Sequence, residues 1–171
     1  MPKTDICIYK GMDEYYVNKI KNNDMTKEDW EEISYYQILS EEFIEKFKDD
    51  VDWVDISWEQ KLSLEFIEKY KDNVYWRGIS YNQVLSEKFI EKYKDRLHWE
   101  GISIIQKLSE EFIEKYRDEV NWEGISLKQN LSFKFLINNI DRIVIKKLKK
   151  NKNIDEEVKE EFINYYTLME V

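Results

Sequence analysis

Residues 53–75 read WVDISWEQKLSLEFIEKYKDNVY, and residues 76–98 read WRGISYNQVLSEKFIEKYKDRLH. The second string restates the first after a period of 23 residues. Outward from this pair, Trp30, Trp53, Trp76, Trp99 and Trp122 keep the same spacing. Ile33, Ile56, Ile79, Ile102 and Ile125 follow them, each with a Ser behind it, and a Leu-Ser pair recurs from Leu39-Ser40 to Leu131-Ser132. Five returns in one register identify a tandem repeat, whose units bury their apolar faces by stacking on one another.

Each unit carries two helix-start signals. Ser34–Gln37, Ser57–Gln60, Ser80–Gln83, Ser103–Gln106 and Ser126–Gln129 have the S-x-x-Q spacing of a capping box, which predicts a helix A beginning at that Ser. Ser40 and its counterparts start a helix B, with Glu41 and Glu42 where acids suit the helix dipole. Phe43, Ile44, Phe47 and Val51 then form one apolar stripe, and Glu42–Lys46, Glu65–Lys69 and Glu111–Lys115 have the i,i+4 spacing of ion pairs. Helix A should span about two turns and helix B about three. The Trp falls on the connection or at the start of helix A. The glycines Gly78, Gly101 and Gly124, which share one unit position, read as relief for a tight turn.

The expected fold is all-α: an α-solenoid of about five two-helix repeats with capping helices at both ends. Residues 30–144 hold the repeats. Residues 1–29 leave the frame and read as an N-terminal cap, with a helix after Asp13. In residues 145–171, Ile145, Leu148, Ile154, Asp155, Val158 and Phe162 fall on the frame positions of a degenerate sixth unit.

Composition narrows the function classes. The aromatic fraction of 15% argues against disorder, and a net charge of -9 argues against direct nucleic-acid binding. Pro2 is the single proline, alanine is absent, and Cys7 is the single cysteine, so no intrachain disulfide can form. No stretch has the roughly 18 apolar residues of a membrane span, and no signal-peptide segment follows Met1. A cytoplasmic setting is expected, in a host cell if the source is viral.

The W-x-x-I-S and L-S-E-x-F-I-E-K-[YF]-x-D strings, over roughly residues 30–144, resemble short helical tandem repeats in proteins of bacteriophages and large DNA viruses. The resemblance implies a viral or prophage source and no activity for any named residue. By analogy with small acidic proteins of such genomes, it suggests an inhibitor of host defence, of the anti-CRISPR kind.

Catalytic signals are weak. His98 is the only histidine and Cys7 has no base near it in the sequence, so no His-based triad or Cys/His zinc cluster can assemble within one chain. The sequence predicts no enzyme, no cofactor and no metal. The acidic residues read as solvated helix faces. The basic run Arg142, Lys146, Lys147, Lys149, Lys150 and Lys152 reads as the outer face of a capping unit.

Positions that vary between units are free of scaffold duty. Those after the fixed Ser are Tyr35-Tyr36, Trp58-Glu59, Tyr81-Asn82, Ile104-Ile105 and Leu127-Lys128. Their large apolar members suit an interface hot spot. Tyr35, Tyr36, Trp58, Tyr81, Ile104, Ile105 and Leu127 are therefore the candidate partner-binding residues of a non-enzymatic module that engages a host protein. The alternative is an acidic nucleic-acid mimic that blocks a basic groove of a host nuclease. A homodimer through an exposed end helix is compatible with either reading.

Overall fold

The computed structural model describes residues 9–169, so Pro2 and Cys7 lie outside the described residues. All thirteen regular elements among the described residues are helices, and none is a strand. The chain is an all-α helical repeat protein of the α-solenoid type. Its packing forms two compact units, Met1–Gln83 and Val84–Val171, divided inside the third repeat between its two helices.

The first unit holds α1 (Glu14–Lys21), α2 (Lys27–Tyr36), α3 (Glu41–Lys46), α4 (Trp53–Glu59), α5 (Leu64–Lys69) and α6 (Trp76–Asn82). Helix α1 is the expected cap: Asp13 accepts a hydrogen bond from the Tyr15 amide. It docks through Lys19 on Asp29 of α2 at 2.5 Å. Helices α2, α4 and α6 are the A helices, packed in succession. The second unit holds α7 (Glu87–Tyr93), α8 (Trp99–Ile105), α9 (Glu110–Lys115), α10 (Trp122–Lys128), α11 (Phe133–Asn138), α12 (Ile145–Leu148) and α13 (Glu156–Met169). There α8, α10 and α12 succeed one another as A helices.

The B helices start where expected. Ser40, Ser63, Ser86, Ser109 and Ser132 each accept from the amide three residues on. They are shorter than the expected three turns: α3 ends at Lys46 and a turn carries the chain to Val51. Their stripe is the core, since Phe43, Ile44, Ile67, Ile90, Ile113 and Leu136 are buried, as is the Ile that follows each Trp.

The A helices start earlier than the capping-box spacing indicates. Trp53, Trp76, Trp99 and Trp122 are their first residues, and the fixed Ser lies inside the helix. Ser57 Oγ donates to the Trp53 carbonyl at 2.7 Å and accepts from the Tyr75 amide at 2.8 Å, tying its helix to the residue that precedes the next A helix. Ser34 and Ser103 repeat both bonds. The Gln does not return to its Ser either. Gln60 ends α4 and buries its side chain in the preceding repeat: Nε2 donates to the Ser34 and Gln37 carbonyls, and Oε1 accepts from the Leu39 amide. Gln83 and Gln129 make the same three bonds. A genuine capping box sits elsewhere, between Thr26 and Asp29 at the start of α2.

The half-buried Trp closes the A–B joint of its own repeat. Trp53 lies 5.0 Å from the Tyr70 ring and 6.3 Å from Phe66, and its Nε1 donates to the Lys48 carbonyl at 2.8 Å. Trp99 and Trp122 pack likewise on Phe112 and Phe135. The column is scaffold, although its rings keep an exposed edge. The glycines relieve no turn. Gly78 is a helical residue buried against α4, where an added Cβ would meet the Ser57 backbone at 3.0 Å. Gly124 plays the same part in α10, where a Cβ would lie 2.8 Å from Ile104 Cγ1.

Past the fifth repeat the chain departs from the repeat sequence. Leu148, Ile154 and Phe162 are buried. Asn151 substitutes for the Gln, donating to the Ser126 and Gln129 carbonyls. Asp155 accepts from the Glu157 amide where other repeats use Ser.

Candidate functional site

The Ser and Gln bonds hold the C-terminal ends of the A helices, and the loops after them, in register. The variable side chains project from this edge. In the first unit Tyr35 and Tyr36 pack edge to face at 4.6 Å, and Tyr36 is 75% exposed. Trp58 is half-buried between successive A helices, 5.9 Å from Tyr81 and 6.4 Å from Tyr75. In the second unit Ile105 is exposed, while Ile104 and Leu127 are half-buried. Ile104 and Ile105 line an open cleft of about 450 Å³ with Lys107, Lys128 and Asn153.

The predicted row therefore has two tiers. Tyr35, Tyr36 and Ile105 are exposed, whereas Trp58, Tyr81, Ile104 and Leu127 are half-buried. Sequence reasoning passed over Ile38 and Val84, which are 87% and 90% exposed on the A–B loops. Their unit position reads Ile38, Lys61, Val84, Lys107 and Asn130, between a fixed Gln and a fixed Leu. The same variability criterion selects it.

Several acids are occupied by the scaffold. Glu41 accepts from the Ser63 amide and hydroxyl, and Glu110 does the same for Ser132. The lysines expected to pair within their helix reach the preceding repeat instead: Lys69 meets Glu45 and Lys115 meets Glu91, both at 2.5 Å. The basic run is partly engaged, with Arg142 on Asp118 at 2.9 Å and Lys147 on Glu123 at 3.0 Å.

Two carboxyls in the first unit are shifted in opposite directions. Burial pushes Asp55 up, reinforced by the charges of Asp52, Glu31 and Glu59. The Lys19 ammonium and the Thr26 amide hold Asp29 below its ordinary value. The hydrogen bond to Glu32, helped by burial, raises Tyr16 to about 12.

His98 is half-buried and occupies the residue before α8, a backbone position it shares with Asp52, Tyr75 and Asn121. Among the described residues, no group of three or more His, Cys, Asp or Glu side chains could hold a metal ion, and no helix is long and apolar enough to cross a membrane. No protein-family model, curated protein or solved structure matches this chain.

Proposed function

We propose that the chain is a non-enzymatic protein-binding scaffold, an inhibitor or adaptor directed at a host protein. The observation that carries this reading is the exposure of Tyr36 and Ile38, 75% and 87%, beside an edge whose backbone is fixed by buried side-chain bonds. Large apolar groups on a rigid frame lose little conformational entropy when covered, which favours tight association. They also lie where the repeat imposes no residue, so their identity is set by something other than folding. The acidic-mimic reading draws less support, because Glu41, Glu45, Glu91 and Glu110 are engaged in bonds between repeats.

The test is a binding titration with a purified host partner, comparing the parent with a Tyr36→Ser/Ile38→Asn variant at low and high salt. A protein-binding edge loses at least about tenfold in affinity through the variant and keeps most of its affinity in salt. An unaffected variant whose parent loses binding in salt transfers the function to the acidic faces.

A further inference from the structure

The fifth repeat departs from its siblings at two adjacent positions. Where other repeats have Lys46-Phe47, Lys69-Tyr70, Lys92-Tyr93 and Lys115-Tyr116, it has Asn138-Asn139. In two of these repeats the Lys is seen to reach back 24 residues to a glutamate: Lys69 to Glu45, and Lys115 to Glu91. The aromatic fills the space beneath: Tyr70 and Tyr116 are buried against Trp53 and Trp99. The equivalent glutamate here is Glu114, and residue 138 is an amide too short and uncharged to replace the ammonium. Between α9 and α11 lies a cleft of about 600 Å³ walled by Glu110, Glu111, Glu114, Phe135 and the two asparagines.

We propose that this cleft binds a primary alkylammonium group, such as a lysine side chain of another protein or a free aliphatic amine. The polar groups in its wall suit a donor. Asn139 is 1% exposed; its Nδ2 donates to the Phe135 carbonyl, while its Oδ1, an acceptor, has no hydrogen-bond partner. Glu114 has only an exposed contact of 3.5 Å with Arg117. Lys115 also borders the cleft, but its ammonium is committed to Glu91 and to the face of Tyr116. An ammonium has three donors and no acceptor, so it complements a cleft whose wall holds both a carboxylate and an amide with an unsatisfied oxygen. Phe135 offers an apolar wall to the methylenes that follow it. The molecule itself supplies the precedent, since the same interaction recurs between its own repeats.

The experiment is a titration of the full chain with n-butylammonium, followed by amide NMR shifts of residues 133–139, with n-butanol as the neutral match. Saturable shifts are expected in the millimolar range, with butanol at least about tenfold weaker. Glu114→Gln should weaken butylammonium about tenfold while leaving the spectrum elsewhere unchanged. Asn138→Lys/Asn139→Tyr, which restores the repeat, should abolish the shifts. Pentane-1,5-diammonium and a blocked lysine peptide separate the two sources, the tighter ligand naming which one the cleft prefers. The site is overturned if butylammonium and butanol bind alike, if the parent shows no saturable shift, or if Glu114→Gln binds as tightly as the parent.

Discussion

Gln60 donates from Nε2 to the backbone carbonyl of Gln37 across the boundary between two repeats, at 2.8 Å. The same amide accepts from Leu39 and donates to Ser34, and Gln60 is 5% exposed, so water cannot replace these bonds. Removing the side chain strands up to three buried backbone groups, each costing about 1–3 kcal/mol. Gln60→Ala should therefore destabilise the protein by about 2–5 kcal/mol in urea denaturation followed by circular dichroism. Gln60→Glu should be nearly as damaging, because a carboxylate cannot donate to two carbonyls. A midpoint equal to the parent's in both variants would sink this account of the ladder.

The Trp column answers to a different measurement. Trp53 packs against Tyr70, stacks on Phe66 and bonds the Lys48 carbonyl, yet is only half-buried. Trp53→Ala should cost about 3 kcal/mol, near the low end for a truncated aromatic. Trp53→Phe should recover the stacking but not the Nε1 bond, and fall in between. Loss of partner binding with unchanged melting would assign the ring to a ligand surface instead.

Gly78→Ala sets helix propensity against space. An alanine inside a helix gains about 1 kcal/mol over glycine. Its Cβ would press on the Ser57 backbone at 3.0 Å, and backbone cannot swing aside as a side-chain tip can. Overpacking of this kind typically costs about 1–3 kcal/mol, so the net effect should be destabilising. A thermal midpoint above the parent's would show that α4 and α6 can separate without loss.

Acid titration should separate Asp55 from Asp29. Asp55 is raised by burial and by Asp52, Glu31 and Glu59, so its charged form opposes folding. Its favourable contribution is complete below the ordinary aspartate value and fades as pH rises through its elevated folded one. Asp55→Asn should therefore raise the melting temperature at neutral pH and lose that advantage in acid. Asp29 is depressed by Lys19 and Thr26, so its contribution holds above the ordinary aspartate value and disappears as pH falls through its depressed one. Asp29→Asn should destabilise at neutral pH and converge with the parent in acid. Parallel melting curves across pH for either pair would contradict the assignment.

The outward tier of the candidate row should be dispensable for folding. Tyr36 and Ile38 are mostly exposed, and substitutions at such positions usually change stability by less than about 0.5 kcal/mol. Tyr36→Ser/Ile38→Asn should melt with the parent, whereas Trp58→Ala, which loses contacts to Tyr75 and Tyr81, should not. Equal destabilisation by both would make the whole edge structural.

The period, the Ser starts of the B helices and the buried Phe-Ile stripe were legible because each rests on neighbours within one or two helical turns. Ser34 and Gln37 misled for the same reason. Their spacing satisfies a local rule, but their side-chain partners lie far along the chain: Ser34 accepts from the Asp52 amide, and Gln37 Oε1 accepts from the Asp13 amide. Gly78 misled because a glycine in a sequence signals backbone freedom, while this one provides clearance for the helix beside it. The candidate edge was partly legible. Variability pointed to Tyr35 and Tyr36, but aromatic content drew the reading past Ile38, whose loop position carries the greater exposure.

The Gln ladder also makes each repeat an interchangeable cassette. In the first unit Gln60 and Gln83 each bring the amide that completes the repeat before, and each repeat leaves the same three backbone groups for the one after. Excising residues 53–75 would present Gln83 to Gln37 and Leu39 in place of Gln60, with no bond type lost. Excising one residue fewer would shift every later side chain off its acceptor. Chain length is thus adjustable in whole steps of one repeat, each of which adds or removes a stretch of edge without redesigning the joints beside it.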